Sequence, residues 1–150
     1  MTHALRAARP EDESTIVEFQ IAMARETEGL VLDPQVLARG VGRALADSSK
    51  GRYLIAELEG EPVGSLLVTR EWSDWRDGWI DWIQSVYLIP DARGRGVYDA
   101  MHRRVLALAS ADPDVRGVRL YVVEGNQRAR SAYEKAGMHR TDYLLYEQTL

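Results

Sequence analysis

The sequence predicts a mixed α/β fold with a mostly antiparallel central sheet of six to seven strands, flanked by about four helices. Two observations favour this class over a doubly wound parallel sheet. Consecutive β runs joined by tight turns follow one another in the first half of the chain, and helical and β patterns alternate in the second. The 150 residues contain no repeat, linker or low-complexity tract. We therefore expect one domain over residues 1–150.

Two helices are predicted near the start, after a weakly patterned strand at residues 3–8. Over residues 12–25, apolar side chains recur at the three- and four-residue spacing of one helix face, and Gly29 follows as a stop. A second helix is predicted over residues 34–46. Asp33 can cap it, and a proline at its first position is compatible with a helix start.

Three strands follow these helices. Residues 53–58 and 62–69 are β-rich and are separated by Glu-Gly-Glu at 59–61, which predicts a hairpin. Residues 79–88 form a longer β run that ends just before Pro90. Their order predicts antiparallel neighbours in the sheet.

The second half of the chain alternates between the two patterns. A helix is predicted over residues 97–110, a strand over 117–123, and a helix over 126–136 with Asn126 as its cap. Residues 138–149 are expected to supply one or two last strands.

Composition excludes several classes of function. There are 19 Lys and Arg against 23 Asp and Glu, whereas a dedicated nucleic-acid binder usually has a strong positive excess. The absence of cysteine excludes disulfides, thiolate metal sites and a cysteine nucleophile, and the three histidines are too scattered to suggest a metal site. No signal peptide or apolar stretch of about 20 residues is apparent. We expect a cytoplasmic protein with no metal, nucleic-acid partner or membrane segment.

The clearest local signal for chemistry is a glycine-rich loop between a strand and a helix. It reads Arg-Gly-Arg-Gly over residues 93–96. Backbone amides at the start of a helix bind anions, glycines let a phosphate approach the backbone, and Arg93 and Arg95 add countercharge. The loop lacks the Gly-Lys-Ser/Thr of a P-loop, and Asp99 stands where a dinucleotide fingerprint would have its third glycine.

A second motif about 30 residues later makes the first more specific. Residues 126–138 read Asn-x-x-Ala-x-x-Ala-Tyr-Glu-Lys-Ala-Gly-Met. Together, this segment and Arg-Gly-Arg-Gly-Val-Tyr at 93–98 resemble the two linked motifs of the GNAT superfamily of acyl-CoA-dependent N-acetyltransferases. The resemblance is clearest from about Trp82 to Met138, and the order of the preceding elements agrees with it.

The resemblance implies acetyl-CoA as cosubstrate and a role for each matching residue. Main-chain groups at Val86 and Leu88 would pair with the pantetheine arm at a bulge, and the Val86 amide would stabilise the oxyanion. Asn126 would cap its helix and reach the pantetheine, and Tyr133 would protonate the departing thiolate. The implied cofactor-binding residues are Val86, Leu88, Arg93, Gly94, Arg95, Gly96, Val97, Tyr98 and Asn126.

Two residues in these motifs have a second interpretation. Tyr98 occupies a position that is usually glycine or alanine in the family, so its ring must turn aside or line the cofactor groove. Tyr133 could instead be an aromatic residue packed on its helix face.

The general base and the acceptor are less well defined. Glutamine and serine stand at 84 and 85, where many relatives have a base, so candidates are nearby carboxylates or a solvent relay. Residues 72–82 contain all four tryptophans and three aspartates, which could hold an ammonium group or simply cover the sheet. The substrate-binding candidates are Glu26, Glu28, Trp72, Asp81 and Gln84. The base candidates are Asp81, Glu71, Asp74, Glu26 and Glu28.

We expect an N-acetyltransferase that moves an acetyl group to the primary amine of a small molecule. The absence of cysteine favours direct attack in a ternary complex over a covalent thioester route. The alternative is a CoA-binding sensor or scaffold without catalysis. A homodimer is compatible with the sequence.

Overall fold

One sheet, with its strands in sequence order, carries the helices on both faces. A computed structural model describes residues 3–150. Within them, the strands are β1 (His3–Ala7), β2 (Arg52–Leu58), β3 (Glu61–Ser73), β4 (Gly78–Leu88) and β5 (Val115–Arg119). The helices are α1 (Glu13–Glu28), α2 (Pro34–Ala46), α3 (Val97–Ala111) and α4 (Gln127–Lys135). Short 3-10 turns at Pro10–Asp12 and Pro90–Ala92 precede α1 and the glycine-rich loop.

The sheet is antiparallel from β1 to β4, and β5 joins it parallel to β4. Successive residues of a strand face opposite sides, so Leu54 and Ile55 of β2 belong to different layers. Ile55 packs with Ile16 of α1 and Val41 of α2. Leu54 belongs to the cluster that contains Met101 of α3. The sheet therefore lies between the first two helices and the third.

Several helices begin or end at the capping residues that the sequence predicts. The Asp33 carboxylate accepts hydrogen bonds from the backbone amides of Gln35 and Val36 at the start of α2. The Asn126 side chain accepts one from the Ala129 amide at the start of α4, at 3.2 Å. Gly29 ends α1 in the left-handed region, at φ 63°. These residues act within one helical turn, and the local pattern was therefore sufficient to identify them.

The mixed, mostly antiparallel class is confirmed, but the sheet has five strands among the described residues, where six to seven were expected. The missing strands are those predicted over 138–149, which form no strand. A β-rich sequence becomes a strand only beside a partner, and this segment pairs with no strand of its own chain. The strand predicted over 117–123 starts two residues earlier and ends four residues earlier, and β3 extends four residues further at its end than expected.

Two irregularities in the pairing of β4 create the cavity described below. Between Ser65 and Leu67 of β3, the register with β4 shifts, so that Ser85 and Val86 together face one residue of β3. In addition, β5 pairs with β4 only from Trp79 to Trp82. The second half of β4 is therefore bulged and free of a strand on its β5 side, and it borders a cavity instead.

Candidate active site

A cavity of about 580 Å³ opens where β4 and β5 separate. It is bounded by the end of α1, the end of β4, the glycine-rich loop with the start of α3, and one face of α4. Its lining residues are Met23, Glu26, Thr27, Val86, Tyr87, Leu88, Arg93, Gly94, Gly96, Val97, Tyr98, Asp99, Asn126, Arg128, Ala129, Ala132, Tyr133, Lys135 and Ala136. Both sequence motifs therefore meet in one place.

The bulge in β4 is held by a residue that the sequence analysis did not single out. Ser85 adopts φ 54°, in the left-handed region. Its carbonyl oxygen accepts a hydrogen bond at 3.5 Å from Nε2 of Gln20, a buried side chain of α1. Ser85 C=O and Val86 N–H belong to the same trans peptide, so they point in opposite directions. By holding the carbonyl, Gln20 fixes the direction of the Val86 amide. The signal in the sequence was one polar residue among apolar ones on a helix face.

The glycine-rich loop leaves space at the start of α3. Gly94 and Gly96 have φ 73° and 78°, and no atom lies within 4 Å of the place that a Cβ would take at either residue. Gly96 is the N-cap of α3, and no side chain caps the first amides of that helix. Uncapped amides at the positive end of a helix dipole fit a phosphate. The loop geometry therefore suits the pyrophosphate of CoA.

Arg93 is turned back over the end of β4. Its Nε donates to the Leu88 carbonyl oxygen at 2.9 Å, and its guanidinium contacts the Glu26 carboxylate at 2.6 Å. The Tyr87 hydroxyl also donates to Glu26, at 3.2 Å, and the guanidinium lies 5.5 Å from the Tyr87 ring. The hydrogen bond from Arg93 holds the pKa of Glu26 below its usual value. Arg93 therefore ties α1 to the glycine-rich loop, and Glu26 is a carboxylate at neutral pH.

Tyr98 lines the cavity and also contacts two residues of the interior. Its hydroxyl oxygen makes a hydrogen bond with Nδ1 of the buried His102 at 3.1 Å, and its ring meets the Tyr133 ring edge-on at 5.5 Å. Burial lowers the pKa of His102, so this imidazole is neutral at pH 7. The unusual residue of the motif is therefore accommodated by an aromatic cluster behind the loop.

The wall opposite β4 is α4. Tyr133 lines the cavity, and burial raises the pKa of its hydroxyl, so the phenol keeps its proton at neutral pH. Two cations of the same helix, Arg128 and Lys135, line the cavity as well. The sequence analysis did not identify them as site residues, although both lie within the second motif.

The five substrate-binding candidates expected from the sequence do not lie together in the structure. Only Glu26 lines the cavity. Gln84 donates to the Thr69 hydroxyl at 2.5 Å. Glu28 is exposed at the end of α1, and Trp72 packs edge-on against Trp79 at 5.0 Å, outside the cavity lining.

Asp81, a candidate for both base and acceptor site, is also outside the cavity lining. Its side chain is buried, with Nε of Arg70 3.0 Å from one carboxylate oxygen and Arg52 3.8 Å from the other. Of the remaining base candidates, Glu71 pairs with Arg119 at 3.3 Å, and Asp74 lies exposed in the turn after β3. The tryptophan-rich segment is thus an extended hairpin with its own ion pairs.

Across residues 3–150, no group of three or more His, Asp or Glu side chains is placed to hold a metal ion. No helix in that range is long and apolar enough to cross a bilayer.

Comparison with solved structures identifies close matches to this arrangement. A possible acetyltransferase from Clostridium difficile 630 is 37% identical, with a TM-score of 0.92 over 100% of this chain and 99% of that one. Two more distant structures share the fold. One is a predicted acetyltransferase from Clostridium acetobutylicum solved with acetyl-CoA, 21% identical with a TM-score of 0.80 over 98% and 96% of the two chains. The other is a ribosomal-protein-alanine N-acetyltransferase from Brucella melitensis, 16% identical with a TM-score of 0.77 over 99% of each chain.

Among curated protein sequences, none matches this chain. A family model does: the model of the acetyltransferase (GNAT) family matches residues 38–138, which span α3, α4 and the sheet from β2 to β5. Sequence, fold and cavity therefore agree, and the chain belongs to the GNAT family of acetyltransferases, whose activity is acyl-CoA-dependent acetyl transfer.

Proposed function

We propose that this protein is an acetyl-CoA-dependent N-acetyltransferase that acetylates the primary amine of a small molecule. One observation carries the proposal. The bulge at Val86, the uncapped start of α3 and the Tyr133 hydroxyl all border the same cavity. These are the three groups that a thioester needs: an oxyanion donor, an anchor for the pyrophosphate and a proton donor for the thiolate.

In this proposal the cosubstrate lies along the second half of β4. Main-chain groups of Val86 and Leu88 pair with the pantetheine amides, in place of the strand that is missing on this side. The amides of residues 95–98 hold the pyrophosphate. Arg128 and Lys135 supply countercharge from α4, because Arg93 is already paired with Glu26.

The acetyl group passes directly from sulfur to nitrogen. The amine attacks the carbonyl carbon, and the Val86 amide stabilises the oxygen as it becomes negative, a contribution of roughly 3 kcal/mol for one preorganised donor. The C–N bond forms, the C–S bond breaks, and the Tyr133 hydroxyl gives its proton to the thiolate. The bound ammonium group first loses one proton to water to become the attacking amine, and it loses a second to water as the C–N bond forms. Tyr133 regains a proton from solvent. No cysteine is available for a thioester on the enzyme.

Glu26 supports an amine as the acceptor. Its carboxylate stays ionised because the hydrogen bond from Arg93 lowers its pKa, and it lines the cavity. Each of its oxygens accepts from one donor, Tyr87 or Arg93, and keeps a lone pair for an ammonium group. The same ionisation makes it a weak base, so solvent is the better proton acceptor. Of the acceptor residues expected from the sequence, the proposal retains Glu26 alone.

The direct test is the substitution Tyr133→Phe, assayed by free-thiol release from acetyl-CoA with a panel of small amines. We expect kcat to fall about 100-fold or more, since general acid catalysis contributes at least this much, while acetyl-CoA affinity is unchanged. Tyr121→Phe is the matched control, because that ring is exposed and contacts Trp82 at a tilt of 55° outside the cavity lining. A Tyr133→Phe variant with the full rate would refute the general-acid role. Turnover confined to acceptors without an amine would refute the proposed substrate class.

One observation favours a second candidate, a CoA-binding module without catalysis. Both carboxylates that line the cavity are in ion pairs, Glu26 with Arg93 and Asp99 with Arg103. Such a module would be stabilised against heat by acetyl-CoA but would release no thiol with any amine. The same panel of amines therefore separates the two functions.

A further inference from the structure

Two side chains near the start of α3, Tyr98 and His102, are not used by the proposed reaction. They are four residues apart in the helix, so they lie on one face, one turn from each other. A hydrogen bond of 3.1 Å joins the Tyr98 hydroxyl oxygen to Nδ1 of His102. The imidazole is 2% exposed, and burial lowers its pKa, so it is neutral at pH 7. Because His102 is enclosed by the protein, its hydrogen bond fixes the direction of the Tyr98 ring.

The proposed general acid, Tyr133, has little support on its own helix. Its neighbours on the cavity side of α4 are Ala129 and Ala136, four residues before it and three after it. Alanine methyl groups at this spacing do not restrict the torsion angles of a phenol. In addition, α4 has no fully buried side chain. The direction of the Tyr133 ring therefore depends on contacts with other elements.

One such contact comes from Tyr98. The two rings meet edge-on, with an angle of 62° between their planes and centroids 5.5 Å apart, which is a preferred arrangement of an aromatic pair. Burial raises the pKa of both hydroxyls, so both rings are neutral phenols at pH 7. Both also line the same cavity. His102, Tyr98 and Tyr133 thus form a chain of contacts from the buried side of α3 to the cavity wall on α4.

We propose that Tyr98 is a positioning residue, which holds the Tyr133 hydroxyl toward the thioester sulfur and is itself held by His102. This inference rests on the proposed function, in which Tyr133 protonates the departing thiolate. A general acid acts within hydrogen-bond reach of its target, so the rate depends on how often the ring has the productive direction. An edge-on aromatic pair shifts such an equilibrium by about 2- to 12-fold. A glycine or alanine at position 98 could not make this contact.

The test is a double-mutant cycle of Tyr98→Ala and Tyr133→Phe, measured as single-turnover thiol release from acetyl-CoA with a small amine. Tyr98→Ala should lower the rate about fivefold, within the range for an aromatic pair. Its Kd for acetyl-CoA, measured by calorimetry, should stay within about twofold of the wild-type value, because the loop amides that hold the pyrophosphate remain. In the Tyr133→Phe background, the same substitution should change the rate by less than about 1.5-fold, because the group that Tyr98 positions is gone.

The role of His102 is tested by two substitutions. His102→Leu removes the hydrogen bond to Tyr98 and should lower the rate about twofold, less than the loss of the whole ring. His102→Asn offers an amide close to the place of Nδ1 and should restore most of that loss. Val105→Ala is the matched control, because Val105 is buried in the same helix but belongs to the core cluster between α3 and the sheet. It should lower stability without lowering the rate per folded molecule.

The outcomes separate this inference from the proposed function. An equal loss from Tyr98→Ala in both backgrounds overturns the positioning role and leaves Tyr133 as the general acid. A weaker Kd for acetyl-CoA with an unchanged rate makes Tyr98 a part of the cofactor wall alone, which also overturns it. A His102→Leu variant with the full rate overturns the role of His102. A full rate in Tyr133→Phe refutes the general acid itself, and the positioning role with it.

Discussion

The two halves of β4 differ in how completely they pair with neighbouring strands. From Trp79 to Trp82 the strand has a neighbour on both sides, and its one ionisable residue, Asp81, is 2% exposed and paired with Arg70 and Arg52. From Ile83 to Leu88 it has a neighbour on one side only, a bulge at Ser85, and the proposed cofactor cavity on the other side. The first half is regular and tightly paired, and the second is interrupted.

The difference separates the two candidates that the sequence offered on this strand. The charged one, Asp81, is buried beside arginines and lies outside the cavity lining. The uncharged one, Val86, lies at the bulge and lines the cavity, so the proposed function uses its backbone amide. The proposal therefore rests on interrupted pairing in β4 and not on an acidic side chain of that strand.

The largest effect is expected from removing the charge in the regularly paired half of β4. Asp81→Asn should lower the free energy of unfolding by about 2 kcal/mol, because it removes the buried charge that the partly exposed Arg70 and Arg52 guanidinium groups contact, while Arg70 keeps its ion pair with Asp112. The kcat of the folded fraction should not change. Denaturant unfolding, together with thiol release per folded molecule, measures both. Asp114→Asn, at an exposed carboxylate, should change neither quantity. A loss of kcat in stable Asp81→Asn protein would return Asp81 to the catalytic candidates.

The bulged half is tested through the residue that holds it. Gln20→Met keeps the volume of the side chain but removes the donor to the Ser85 carbonyl. We expect kcat to fall about 10-fold as the Val86 amide loses its fixed direction, less than the loss of a whole oxyanion donor. The KM for acetyl-CoA should stay the same, because the pyrophosphate loop is elsewhere. An effect on KM alone would mean that Gln20 only supports packing.

A substitution in the glycine-rich loop should have a smaller effect, and on acetyl-CoA affinity in particular. Gly96→Ala places a side chain at φ 78°, which costs about 1 kcal/mol, and should weaken acetyl-CoA binding about fivefold. Gly60→Ala is a matched control, because Gly60 has φ 83° and the same open surroundings in the β2–β3 turn. Both variants should lose similar thermal stability, while calorimetry should find weaker binding in Gly96→Ala alone. Equal affinities would contradict the assignment of this loop to the pyrophosphate.

The smallest expected effect is on the pH dependence of stability, through the ion pair between Glu26 of α1 and Arg93 of the glycine-rich loop. The pKa of Glu26 is lowered in the folded protein, so its pairing stabilises the fold above the unfolded value of about 4.5 and is lost as pH falls through the lower folded value. The stability of the wild type should therefore exceed that of Glu26→Gln at pH 7, and the difference should shrink below pH 4.5. Urea unfolding at several pH values measures it. A constant difference would mean that charge pairing with Arg93 contributes nothing.

The sequence was sufficient wherever a few neighbouring residues decide the structure. The Asp33 cap and Pro34 set the start of α2, and the loop glycines before α3 indicated a loop that does line the cavity. The contact between Gln20 and Ser85 joins residues 65 positions apart, and no local pattern encodes it. The same limit explains Asp81, whose role depends on arginines of two other strands, and residues 138–149, whose β propensity finds no partner within the chain.

Helix α4 has no fully buried side chain, although it forms a whole wall of the cavity. A helix held so lightly opens at little cost, so its amides should exchange with solvent far faster than those of α3. A cosubstrate that contacts Asn126 and Tyr133 only when α4 is closed would shift that equilibrium toward the closed form. Acetyl-CoA would then complete the active site as it binds, and the acceptor amine would enter second.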